Sequence, residues 1–216
     1  NLIGNLKFLD KQQICIICGD KNPIKHKKKV FEFGSIEHEK YCFLAASVDG
    51  IREDGLILEI KCPLGREIKG IPPKYYWYQI QLQLQVCELF QCDYLECKFE
   101  TYSDYNEYLL DKDIEYKGII LQFSDIDNKS FKFEYSTLHI EQSKLNEWIE
   151  IQKNIYNNQY PNLELIYWKL KTFSTMRIYR DNEWFKNNIE NIQNIWNEML
   201  YYRNNKEGRR YYCWNL

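Results

Sequence analysis

No apolar run in this sequence approaches the roughly 18 residues needed to span a bilayer, and the opening NLIGNLKFLDKQQ lacks the basic start and apolar core of a secretory signal. Both absences predict an intracellular chain that is not secreted and has no membrane partner. A starting Met is lacking too, as expected of a fragment or a processed product. No internal repeat, linker or low-complexity stretch divides the chain. Excess charge of either sign is also missing. A formal net charge of −2 over 216 residues excludes wholesale electrostatic wrapping of nucleic acid, so any such surface must be local.

What is present fits one mixed domain with a sizeable core: 44% of residues are hydrophobic and 28% charged. The 18 Tyr and 6 Trp are scattered, which favours core and half-buried roles. Eight Cys without regular spacing read as reduced thiols, several of them buried as small hydrophobes. Cys15 and Cys18 form a CxxC, half of a zinc site, but His26, His38 and Cys42 supply no regularly spaced second pair. Ordinary packing is the more economical reading of those thiols. Local basic clusters are Lys25–Lys29, then Lys169, Lys171, Arg177 and Arg180, then Arg203, Lys206, Arg209 and Arg210. A solvated charged face accounts for each one equally well.

Along the chain, VFEFG from Val30, YCFLAAS and LILEIKC are short, apolar and bounded by turn residues, the pattern of strands. Asp54-Gly55 suits a tight hairpin, with Asp49 ending one strand and Glu59 and Lys61 on its neighbour. Residues 74–91 have an ambiguous period, because Gln alternates with Ile and Leu from 79 to 86. The length and the preceding Pro72-Pro73 predict a helix. DYLECKFET, GIILQFS and FKFEYS read as further strands, and 141–157 and 181–203 carry helical spacing. In the second helix Trp184, Ile189, Ile192, Trp196 and Met199 form a stripe better suited to a core than to a ligand, and Asp181 is a plausible N-cap. The predicted fold is α/β, a central mixed sheet with helices on its faces and a site at one edge.

The chemistry concentrates in AASVDGIREDGLILEIKCP. On a strand, side chains repeat every two residues, so Glu59 and Lys61 share one face while Leu58 and Ile60 pack the other. Charged groups in such an apolar run are costly to bury unless they pair or coordinate something. Asp49, across the hairpin, can converge on Glu59. Two carboxylates and the Ile60 backbone carbonyl suit magnesium, with manganese as a substitute. Such an ion polarises a phosphoryl group and acidifies a water, and Lys61 would orient that water and offset the developing charge. An exposed Glu-x-Lys pair on a sheet surface, worth little, is the plain alternative.

The combination resembles one family, the lambda-exonuclease-like or YqaJ-type viral recombinase nucleases of the PD-(D/E)XK superfamily. Ser47-Val48-Asp49-Gly50 is similar to its S-P-D-G motif, with Val in place of Pro. Leu58-Glu59-Ile60-Lys61-Cys62-Pro63 matches L-E-x-K-C-P without change. Tyr76-Trp77-Tyr78-Gln79-Ile80-Gln81 resembles the helical Y-x-x-Q-V-Q, whose first Gln lies at the active site, which points to Gln79. Arg180-Asp181 followed by Trp184-Phe185 resembles the closing strand-to-helix segment.

The resemblance implies a restriction-endonuclease-like core over 30–216, after an N-terminal segment (1–29) of no assignable structure. It also implies a metal-dependent exonuclease with Asp49, Glu59, Lys61 and Gln79 at its centre, acting on duplex DNA ends in recombination or repair. A ring-shaped homotrimer and a single-strand annealing partner belong to the same expectation. A catalytically inactive DNA-binding remnant is the alternative, because the family's upstream Glu, in a segment like R-G-x-x-x-E, has no match in residues 1–29. An iron–sulfur variant would need about four convergent cysteines, and the available spacing falls short. The Asn-, Ile- and Lys-rich texture hints at an AT-rich genome, as of a viral protein acting in host cytoplasm or nucleus.

Overall fold

The computed structural model describes residues 28–205 apart from 126, 128, 139 and 157. Nine strands and four helices occur among them. In chain order these are β1 (Val30–Phe31), β2 (Ile36–Glu37), β3 (Ala45–Ala46), β4 (Gly50–Arg52), β5 (Ile57–Lys61), α1 (Lys74–Val86) and β6 (Gln91–Thr101). Then follow α2 (Tyr105–Leu110), β7 (Lys117–Asp125), β8 (Ser130–Tyr135), α3 (Gln142–Tyr156), β9 (Asn162–Tyr179) and α4 (Asn182–Asn204). Seven strands are hydrogen-bonded in the order β1-β4-β5-β6-β9-β7-β8, and β2 pairs with β3 separately. The expected α/β class, a mixed sheet with helices packed on it, is the one observed.

The chain divides into two compact units through which β5, β6 and β9 each pass. One unit takes Lys28–Glu59, Pro72–Tyr94 and the described residues from Met176 onward. Its core joins Val48, Ile57, Ile80, Leu84, Cys92, Tyr94 and Ile178, so α1 lies on the sheet through Ile80 and Leu84, both fully buried. A second cluster in this unit packs Phe185 of α4 with Leu44, Ala46 and Val86, bordered by Trp184, Ile189 and Ile192. Of the α4 stripe, Trp184, Ile189 and Ile192 thus pack half-buried against this core, whose buried α4 member is Phe185, and the Asp181 carboxylate caps the helix by accepting from the Trp184 amide at 2.8 Å.

The other unit takes Ile60–Ile71 and Leu95–Thr175. Here β7 pairs antiparallel with β8 and with β9, and α3 contributes Leu145, Trp148 and Ile149 to a cluster with Ile119, Tyr102, Tyr108 and Tyr167. Lys117 is buried in this unit, its ammonium donating to the Tyr108 carbonyl at 2.5 Å and lying 4.5 Å from the Tyr108 ring centroid. Burial draws its pKa down.

Several elements depart from the sequence reading. The VFEFG and YCFLAAS runs yield only two-residue strands, and Asp49 directly precedes β4 instead of ending a strand before it. The helix expected over 74–91 stops at Val86. Glu88 adopts a left-handed φ of 54° and the Leu89 amide reaches back to the Leu84 carbonyl at 3.1 Å, a Schellman-type stop. Finally, α2 carries no expectation from sequence, and of the 18-residue β9 only the end before Arg180 does, as the strand of the closing strand-to-helix segment.

Candidate metal centre at the β4–β5 hairpin

Strands β4 and β5 pair antiparallel with Gly50 opposite Leu58 and Ile51 opposite Ile57. Asp49 directly precedes β4. Continuing this register by one residue would set it opposite Glu59, and facing residues of an antiparallel pair project to the same side with Cβ atoms roughly 4.5–5.5 Å apart. The turn fixes that register: the Arg52 amide donates to the Leu56 carbonyl at 2.8 Å, and the Gly55 amide donates to the Arg52 carbonyl at 2.9 Å. Gly55 has φ +78°, a conformation that side chains disfavour, which is why the loop closes on Asp-Gly. Gly50 is required for another reason: a Cβ there would stand 2.5 Å from Cγ1 of Val30.

Burial rises into the site. Glu59 is 2% exposed, whereas Asp49, Lys61 and Gln79 are half-buried. A buried carboxylate is tolerable when its oxygens accept hydrogen bonds. The Gln79 amide donates to Glu59 Oε1 at 2.8 Å, and the Gln83 amide donates to Glu59 Oε2 at 2.7 Å. Beside them Cys92 is fully buried. Burial pushes its thiol well above the usual range, and the charges of Glu59, Asp93 and Asp49 act in the same direction.

The glutamine alternation in α1 is explained by this arrangement. On a helix, residues four apart share a face, so 79 and 83 form one pair and 81 and 85 another. The first pair grips Glu59. The second holds the start of α4: Gln81 donates to the Tyr179 carbonyl at 2.9 Å and accepts from the Asp181 amide at 2.7 Å, while Gln85 donates to Asn182 Oδ1 at 3.0 Å. Gln83, which the sequence motifs did not single out, was identifiable as the residue one turn beyond Gln79.

Along β5, Lys61 follows Glu59 by two residues and so projects to the same face, while Ile60 packs oppositely in a cluster with Cys97 and Leu170. Among the described residues no group of three or more His, Cys, Asp or Glu side chains could hold a metal. A cation here would thus rely on two carboxylates, a carbonyl and water, the hard-oxygen set that magnesium accepts. The Glu59 carboxylate, oriented by the Gln79 and Gln83 amides, supplies the hard oxygen donors that fit such an ion.

Other expected features fall elsewhere. Lys169 pairs with Asp111 at 3.0 Å, Lys171 with Glu100, and Arg177 with the buried Asp93 at 2.5 Å, so these cations already have anionic partners. Arg180 lies 4.3 Å from the Phe90 ring centroid. Cys15 and Cys18, the segment before residue 28 where an upstream Glu would fall, and Lys206, Arg209 and Arg210 lie outside the described residues. No helix among the described residues is long and apolar enough to cross a membrane.

Residues 21–89, which contain Asp49, Glu59, Lys61 and Gln79, match the YqaJ-like viral recombinase domain. The resemblance carried by the three motifs is thereby borne out. The chain is similar to the uncharacterized protein R354 of Acanthamoeba polyphaga mimivirus, at 30% identity over 228 residues, covering 85% of this chain and 41% of that protein. It therefore spans less than half the length of this relative. Among solved structures it is similar to an alkaline exonuclease (LHK-Exo) from Laribacter hongkongensis, with TM-score 0.35 and 20% identity over 72% of this chain and 65% of that one. LHK-Exo in complex with dAMP gives TM-score 0.34 and 19% identity over 72% and 70%.

Proposed function

We propose that residues 30–216 are a divalent-metal-dependent deoxyribonuclease domain of restriction-endonuclease-like core that hydrolyses DNA phosphodiesters from duplex ends. The observation that carries this reading is the Glu59 carboxylate held at both oxygens by α1 amides, across the β4–β5 hairpin from the segment that bears Asp49, inside the stretch that matches the recombinase domain.

Asp49, Glu59 and the Ile60 carbonyl would hold magnesium, or manganese in its place. When bound, the ion supplies Lewis acidity to the phosphoryl oxygen and lowers the pKa of a water. The chain's own groups do the rest. Gln79 and Gln83 fix the Glu59 carboxylate so that its orientation costs nothing at the moment of reaction. The Lys61 ammonium orients the attacking water and offsets the charge that builds on the phosphate. The water oxygen bonds to phosphorus as the bond to the leaving sugar oxygen breaks. The attacking water releases one proton to solvent, and the leaving oxygen takes one up from solvent.

Duplex ends as substrate, degradation from the 5′ end, a homotrimeric ring and a single-strand annealing partner follow from the resemblance. The similarity to a mimivirus protein supports a viral origin. An end-labelled duplex incubated with magnesium tests the reading. Release of labelled mononucleotide, abolished by chelation and lowered roughly 100-fold or more in Lys61→Ala, is the expected result. Equal activity of Lys61→Ala would sink the mechanism, and DNA binding without cleavage would favour an inactive binding module.

A further inference from the structure

We propose that Gln83 is a positioning residue of this centre. Its amide nitrogen ties the backbone before Asp49 to the Glu59 carboxylate and so holds the two acids in register. The inference rests on the reading of Asp49 and Glu59 as metal ligands and adds a residue outside the three motifs.

The geometry assigns the two ends of the amide. Gln83 Nε2 lies 2.7 Å from Glu59 Oε2 and 3.2 Å from the Ser47 carbonyl oxygen. Two acceptors require a donor between them, so the nitrogen must be on that side. Ser47 is two residues before Asp49. A single amide therefore spans from the chain that presents one acid to the carboxylate of the other and limits how far apart they can move.

The oxygen is thereby turned away from both acceptors. Gln83 is 3% exposed, and Oε1 is buried without a partner among the described residues. Buried polar atoms are nearly always hydrogen-bonded, and an exception calls for an account. Packing alone offers none, since Leu or Met would fill this place without stranding an acceptor, as Ile80 and Leu84 do beside it. The stranded oxygen is the cost of aiming Nε2 at Glu59 and the Ser47 carbonyl, the two groups that it holds in place. Partners at this remove from a metal typically change affinity about 10- to 100-fold.

The test is calorimetric titration of the whole chain with Mn2+, comparing wild type with Gln83→Leu, Gln83→Met and Gln85→Leu, each checked for native near-ultraviolet circular dichroism. Gln85 lies on the other helical face and donates to Asn182, so its variant controls for disturbance of α1. The expected result is Mn2+ binding at least about ten-fold weaker in both Gln83 variants and unchanged in Gln85→Leu. On labelled duplex, kcat falls in the Gln83 variants while KM for DNA stays put. Wild-type Mn2+ affinity in either folded Gln83 variant, or equal weakening in Gln85→Leu, overturns the proposal. Failure of the wild type to bind Mn2+ would instead overturn the reading on which it rests.

Discussion

Gln79 and Gln81 stand two residues apart in one helix, and the structure predicts opposite consequences for their removal. In Gln81→Leu the Tyr179 carbonyl and the Asp181 amide both lose their partner, at a position that is fully buried. Each stranded group costs roughly 1–3 kcal/mol, offset in part by the apolar surface that Leu buries. A net loss of about 3 kcal/mol is expected, equivalent to a fall of roughly 1.5 M in the urea midpoint at a slope of about 2 kcal/mol/M. Gln79 is half-buried, so water can replace its bond to Glu59, and Gln79→Leu should cost less than about 1 kcal/mol. Its cost appears in catalysis, as a fall of about ten-fold or more in kcat. Urea unfolding followed by circular dichroism, run beside the labelled-duplex assay, reads both quantities. A Gln81→Leu midpoint equal to wild type, or a Gln79→Leu shift of the same size, would refute the division of α1 into a structural and a site-facing pair.

Further outcomes follow from the hairpin and from the ion network behind it. Asp93 is 2% exposed between Arg177, at 2.5 Å, and Arg52, at 3.9 Å; Asp93→Ala should cost roughly 3–5 kcal/mol in urea unfolding because two cations lose a buried partner, and a loss under about 1 kcal/mol would show the network to be idle. Gly50→Ala must displace Val30, whose branched side chain has few alternative rotamers; a loss of about 1–3 kcal/mol with reduced cleavage is expected, and a neutral result would contradict the crowding. The Arg52 guanidinium, aided by Lys28, holds the Asp54 carboxyl well below the usual carboxylate range. A depressed folded pKa gives stability that is complete above the unfolded value, about 4, and is lost as pH falls beneath it. The advantage of wild type over Asp54→Asn should therefore be constant from pH 7 to 5 and shrink below about 4, whereas parallel curves would show that Asp54 is not the titrating group.

The positions of the candidate site residues were more legible in the sequence than the scaffold that carries them. Glu59 and Lys61 fall two apart on β5, as strand alternation requires, and Asp49 lies at the mouth of the same hairpin. Gln79 came from a motif, but the division of labour among the α1 glutamines needed the helix itself, since the same alternation also fits a strand. The end of α1 was hidden because the left-handed position that stops it is Glu88 and not Gly. Strand β9 escaped notice because Lys169, Lys171 and Arg177 on its polar positions read as a basic cluster, and only pairing with Asp111, Glu100 and Asp93 reveals them as internal partners. Strand β4 is three residues long, too short to show any period, and is defined by its pairing with β5.

The central claim is that the carboxylates of Asp49 and Glu59 hold one divalent cation. Replacing magnesium by Fe2+ and generating hydroxyl radicals there with ascorbate and peroxide cuts the backbone next to the bound ion, and mass spectrometry of the fragments locates the cuts. The account predicts cuts beside Asp49 and beside Glu59, suppressed together by excess Mg2+ and absent in Asp49→Asn. Cuts elsewhere, or cuts at these positions that Mg2+ and Asp49→Asn leave unchanged, would contradict it.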